Sequence, residues 1–273
     1  MPFVGRTRTL TGTMVVLAYL AGILVALVVL PMAFFNLFVG KALPVAKTRL
    51  KSTERVEYEK SRWHVFRPRG QALRAGVVLY QGGFADAIAY AWLGHALAER
   101  GILVVIPELP QRAAMARPME ATAIIDAHPY VPHWFISGHS LGGIGSAFYA
   151  KKGEYRERLS GQIILASFLR DSRDMSGEVH LPTLTIYGTR DGHAEKFEPF
   201  YKNFSSDSRL VCIEGANHGQ FGEYGFHMGD NTPEIPREAQ QAAIVGHMTD
   251  FIAERLGEHA PEDEQPEPTP AQI

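Results

Sequence analysis

The sequence predicts an α/β fold on a mostly parallel central sheet, with one transmembrane helix ahead of it. Three observations carry that expectation. Short apolar runs alternate with helical patterns from about residue 75 to residue 213, as strands buried on both faces of a helix-covered sheet do. The segment 14–40, MVVLAYLAGILVALVVLPMAFFNLFVG, holds no charged side chain. A glycine-rich turn, ISGHSLGG over 136–143, joins one apolar run directly to a helical pattern.

Taken in chain order, residues 1–13 form a short N-terminal tail and 14–40 the anchor. At about 1.5 Å per residue the anchor exceeds the roughly 20 residues needed to cross a bilayer core. The competing reading is a cleaved signal peptide, since Arg6 and Arg8 give a basic start and Gly40-Lys41-Ala42 resembles a small-residue cleavage site. The apolar run is longer than a signal sequence needs, which favours an uncleaved anchor. Pro31 is tolerable there and can kink the helix. The charged flanks point in opposite directions and leave the side of the membrane open.

A basic linker, 41–54, follows, and a domain-sized segment spans 55–257. Alternating apolar positions over 55–67 read as the first strands. Strands are then expected at 75–80, 102–106, 132–137, 162–166, 184–187 and 209–213, with helices at 85–100, 115–127, 141–151, near 194–203 and at 238–256. About 17 residues separate the strands at 162–166 and 184–187, too few for a large inserted cap. The acidic, proline-bearing tail 258–273 has the composition of a disordered segment.

Composition limits the functional classes. A chain of 273 residues, 46% hydrophobic and 21% charged, can bury one sizeable core. Its net charge of −2 argues against general attraction to nucleic acid. Residues 41–74 nevertheless hold ten Lys or Arg against three Glu, a charge that suits either contact with anionic lipid headgroups or an ordinary solvated surface. The single Cys212 excludes an internal disulfide, and its apolar neighbours suggest a buried small residue.

Ser140 stands where a strand gives way to a helix, the context in which G-x-S-x-G has mechanical meaning. Such a turn strains the serine backbone and needs Gly138 and Gly142 to avoid collisions. With GHSLGG for the elbow, Tyr187-Gly188-Thr189-Arg190-Asp191-Gly192 after a later strand and Gly215-Ala216-Asn217-His218-Gly219 after the last, the sequence resembles the α/β-hydrolase superfamily over about 63–256. More narrowly it is similar to the compact esterase and dienelactone-hydrolase-like branch.

The resemblance implies Ser140 as nucleophile, His218 as base and Asp191 as the acid that orients it, in the family's chain order. It implies an oxyanion hole from the Leu141 N–H and an N–H in Gln81-Gly82-Gly83-Phe84, either Gly83 or Phe84. Gln81 departs from the histidine often found there. His139 is read as packing, and His227 as able to line the site. His193 is the alternative base, and Glu108 and Glu214 are the alternative acids. No histidine pair has the spacing of a zinc motif, and no metal or cofactor is expected.

The expected function is a membrane-anchored serine hydrolase acting on a small or lipid-like ester, with thioesters and amides as neighbours in chemistry. The alternative class is a catalytically silent hydrolase fold serving as a tethered binding module. A hydrolase-fold peroxidase or lyase would use much the same triad.

Overall fold

The computed structural model describes residues 7–30, 40–225 and 227–258. The chain divides into two units, Met1–Val39 and Gly40–Ile273. In the first, helix α1 (Thr7–Leu24) starts inside the expected tail and continues through a π-helical turn, Val25–Val29. The window Gly12–Val29 is the one helical stretch among the described residues long and apolar enough to cross a membrane. Its side chains are all exposed. Residues 31–39 of the expected anchor, Pro31 included, lie outside the described residues.

In the second unit the strands are β1 (Val56–Lys60), β2 (Trp63–Pro68), β3 (Ala75–Tyr80), β4 (Ile102–Pro107), β5 (Trp134–His139), β6 (Leu159–Leu165), β7 (Thr183–Gly188) and β8 (Ser208–Ile213). They form one sheet in the order β1-β2-β4-β3-β5-β6-β7-β8. The first two strands pair antiparallel and β2 meets β4 antiparallel; every later pairing is parallel. Since side chains alternate along a strand, each strand feeds two cores. Val77 and Leu79 of β3, with Phe135 of β5, pack on one face, and Val78, Tyr80, Trp134 and Ile136 on the other.

Helices close both faces. On the first, α3 (Ala91–Ala98) contributes Leu93 and Leu97, and the long final helix α7 (Arg237–Arg255) contributes Ile244, Met248 and Phe251. On the second, α4 (Glu120–Ala127) brings Ile124 and Ile125, and α5 (Leu141–Lys152) brings Ala147 and Tyr149. This is the expected doubly covered sheet, and α5 leaves directly from the end of β5.

Some expected elements differ in extent for local reasons. The helix expected from residue 115 begins only at Glu120, because Pro118 pushes Arg117 out of the helical region, to φ −145° and ψ 65°. The helix expected near 194–203 is a 3₁₀ turn, a single helical turn α6 (Phe197–Phe200) and a second 3₁₀ turn. Pro199 brings no N–H to that segment. Cys212 is exposed rather than buried, because β8 is the edge strand of the sheet and is only partly covered.

The stretch expected as a basic linker is packed onto the domain. Its short helix α2 (Pro44–Thr48) leads to Arg49, whose guanidinium meets the buried Glu223 carboxylate at 2.8 Å. Just before it, the Gly40 N–H donates to the Phe84 carbonyl and the Gly40 carbonyl accepts from the Asp86 N–H, both at 3.0 Å. The Ala42 N–H donates to the Asp86 carboxylate at 3.0 Å and the Leu43 N–H to the Glu223 carbonyl at 2.8 Å. At the other end, residues 259–273 lie outside the described residues. Glu258 is described, and its carboxylate meets Arg74.

Candidate active site

The turn between β5 and α5 holds Ser140 at φ 53° and ψ −123°, a conformation that costs a non-glycine residue about 1–3 kcal/mol. Backbone bonds hold it there. The Ser140 N–H donates to the Leu165 carbonyl and its carbonyl accepts from Gly143, both at 2.9 Å. The flanking glycines are required sterically: a Cβ on Gly138 would run into the Gly142 backbone, and one on Gly142 into the carbonyls of Tyr80 and Gln81. Leu141 opens α5, so its N–H has no intrahelical acceptor.

Asp191 and His218 arrive from the loops after β7 and β8. The Nδ1–H of His218 donates to Asp191 Oδ2 at 2.8 Å, with Asp191 2% and His218 5% exposed. Asp191 Oδ1 accepts the backbone N–H of His193 at 2.8 Å. The Nε2 of His218 is buried and has no hydrogen-bond partner among the described residues. Ser140, Asp191 and His218 line one cavity of about 460 Å³.

Two further imidazoles pack against His218. The His139 ring centroid lies 4.5 Å from it at an interplanar angle of 50°, and the His227 ring lies 4.5 Å from it, stacked at 27°. Burial pushes His139 well below its ordinary pKa, with the neighbouring His218 and His227 acting in the same direction. Burial also lowers His227, with His218 adding to the effect while Asp230 and Asp191 oppose it. Both rings therefore stay neutral near pH 7, and His218 is not faced by a second imidazolium.

The loop after β3 reaches the same place. A Cβ on Gly83 would run into the Leu141 side chain, 3.1 Å from its Cβ, so the loop packs against the first residue of α5. Here one expectation is corrected: the Phe84 N–H is spent on the Arg112 carbonyl at 2.8 Å and is no candidate for the oxyanion. Tyr90 ties the loop to the elbow. Its hydroxyl accepts from the Gly82 N–H at 3.0 Å and donates to His139 Nδ1 at 2.8 Å. The unusual Gln81 is buried and uses its amide to hold the Ala85 carbonyl at 2.9 Å.

The alternative residues are engaged elsewhere. His193 lines the cavity, but its ring is exposed and Asp191 holds only its backbone. Glu108 bonds His64 at 2.9 Å and Lys60 at 3.1 Å, and Glu214 is an exposed acceptor for Thr189. Among the described residues no cluster of three or more His, Cys, Asp or Glu could hold a metal ion.

Asp230 is the residue the sequence did not disclose. Its Oδ1 accepts from the N–H groups of His218 at 3.1 Å and Gly192 at 3.2 Å, and its Oδ2 from Gly219 at 2.7 Å. One carboxylate thus clamps the loop carrying Asp191 to the loop carrying His218. The only sequence hint is an Asp beside a glycine, Gly229-Asp230, in a segment without periodicity.

The chain belongs to the alpha/beta hydrolase family, whose model matches residues 76–242. Among solved structures, it is similar to a predicted CIB-like hydrolase from Thermoplasma acidophilum. That match is 16% identical and covers 71% of this chain and 97% of that one, with a TM-score of 0.51. It is also similar to a thermophilic esterase from Thermogutta terrifontis solved with malate bound, 14% identical over 73% of this chain and 99% of that one, with a TM-score of 0.55. At such identities the likeness is one of fold. No curated protein matches the chain.

Proposed function

We propose that this chain is a serine hydrolase that cleaves carboxylic esters through an acyl-Ser140 intermediate and is held at a membrane by its N-terminal apolar helix. The observation that carries the reading is the convergence on one cavity of a strained serine at a helix start and a buried His–Asp pair.

In the first half-reaction, Ser140 Oγ bonds to the ester carbonyl carbon while its proton passes to His218 Nε2, the ring nitrogen left without a partner. Asp191 fixes the tautomer and stabilises the imidazolium. The carbonyl oxygen becomes an oxyanion, with the N–H groups of Leu141 and Gly83 as its donors. The C–O bond then breaks, and the alcohol leaves with the proton from Nε2. In the second half, a water gives its proton to Nε2, attacks the acyl carbon and releases the acid, and Ser140 recovers its proton. The helix at the N-terminus brings the enzyme to substrates that partition into or beside a bilayer.

The full chain in detergent is tested on 4-nitrophenyl esters and with a fluorophosphonate probe. Ser140→Ala should lose labelling and reduce kcat by about three orders of magnitude or more. Equal turnover by Ser140→Ala and the unaltered chain would refute the assignment.

A further inference from the structure

The cavity beside Ser140 carries positive charge that acyl transfer does not use. Arg170, Ser172 and Arg173, in the connection from β6 to β7, line it together with the elbow. The Arg173 N–H donates to the Arg170 carbonyl at 2.7 Å across a 3₁₀ turn. Arg170 is the extended residue just ahead of that turn, at φ −69° and ψ 157°, and Arg173 closes it; both line the same cavity and so share its space. Both residues are exposed, and neither side chain has a hydrogen bond or ion pair with any described residue.

This is unlike most arginines of the domain. Arg49, Arg67, Arg112 and Arg209 each give the guanidinium to a carboxylate. Nor do the adjacent acids neutralise the pair. Asp171 Oδ1 accepts from Asn203 at 3.0 Å, Asp174 Oδ1 from the Ser176 N–H at 2.8 Å, and neither residue lines the cavity. The carboxylate that does line it, Asp191, is already held by His218 and by the His193 N–H.

We infer that Arg170 and Arg173 form a subsite for an anionic oxyacid group, so that the preferred ester carries a carboxylate or a phosphate on its acyl or alcohol part. The planar guanidinium fork matches such oxygens two at a time. The hydroxyls of Ser167 and Ser172 add donors in the same space, while Leu141, Ile144 and Phe168 supply apolar wall for the hydrocarbon between the charged group and the ester. The turnover half of this inference rests on Ser140 being the nucleophile; the binding half does not.

The test compares mono-4-nitrophenyl glutarate with neutral 4-nitrophenyl valerate on the full chain in detergent. The unaltered chain should prefer the charged ester by about tenfold or more in kcat/KM, and added salt should shrink that preference. In Arg170→Gln/Arg173→Gln the ratio should fall to within about threefold of one, and the double lysine variant should keep part of it. Equal use of both esters by the unaltered chain, or a preference that survives the double glutamine variant, overturns the subsite.

A second arm needs no turnover. Ser140→Ala is titrated calorimetrically with glutarate and with inorganic phosphate, with and without the two glutamine substitutions. Binding of either anion that is lost with the arginines supports the subsite and says which oxyacid it takes; no binding of either overturns it. If no ester is hydrolysed but the anion binds through the arginines, the hydrolase reading fails and the subsite stands. If esters are hydrolysed without regard to charge, the reverse holds.

Discussion

Asp230 accepts the Gly219 N–H at 2.7 Å, one residue beyond His218, while its other oxygen takes the N–H of Gly192, one residue beyond Asp191. The loops that carry His218 and Asp191 are therefore tied by a second carboxylate, which bonds backbone N–H groups of both loops. Asp230→Asn keeps the shape but offers one acceptor oxygen for these amides. We expect kcat to fall about tenfold to a hundredfold with KM within about threefold, the cost of about 1.5–3 kcal/mol for weakening charge-assisted bonds. Unchanged kcat in this variant would remove Asp230 from the positioning machinery.

The strained Ser140 backbone sets stability against activity. Replacing Ser140 by glycine removes the hydroxyl and relieves the positive φ of 53°. Ser140→Gly should be inactive yet melt higher than Ser140→Ala, by a difference worth about 1 kcal/mol. Equal melting temperatures for the two variants would mean that the elbow stores no strain.

The imidazole cluster makes stability depend on pH. His139 and His227 have folded-state pKa values lowered mainly by burial, whereas the unfolded chain titrates near 6.5. Below that value the unfolded state binds more protons, so stability present above about pH 6.5 is lost as pH falls, by up to about 1.4 kcal/mol per unit for each such histidine. His227→Phe keeps a ring on His218 and removes one of these protons. Its melting temperature should drop less than that of the unaltered chain between about pH 7.5 and 5.5; an equal drop would clear His227 of the effect.

The strands and the elbow were legible in the sequence because each is enforced locally: a strand such as AGVVLY has little alternative to burial on both faces, and a serine between glycines after such a strand can turn only one way. The choice of Asp191 and His218 comes from the family resemblance, and the structure brings the two side chains within hydrogen-bond distance. Other features depend on pairings between distant segments. Nothing in Gln81-Gly82-Gly83-Phe84 announces that the Arg112 carbonyl will take the Phe84 N–H. The 229–230 pair gives no sign of two loops to be clamped, and residues 41–54 look like a charged tether until Arg49 finds Glu223. Helix ends failed where Pro118 and Pro199 overrode the apolar period.

Glu223 is 1% exposed and has Arg49 as its ion partner, so truncation before and after that segment should differ sharply. A fragment beginning at residue 40 keeps the pair, while one beginning at residue 53 leaves a buried carboxylate uncompensated, at a cost of about 3–5 kcal/mol. Urea unfolding of the two fragments measures the difference; equal midpoints would show the pair to be dispensable.

The bonds between Gly40 and the Phe84–Asp86 backbone also have a mechanical consequence. Gly40 is the first residue of its unit, and it is stitched on both sides to the loop that carries Gly83. A displacement of Gly40 therefore acts on the Phe84–Asp86 backbone, next to Gly83, before it acts on any strand of the sheet.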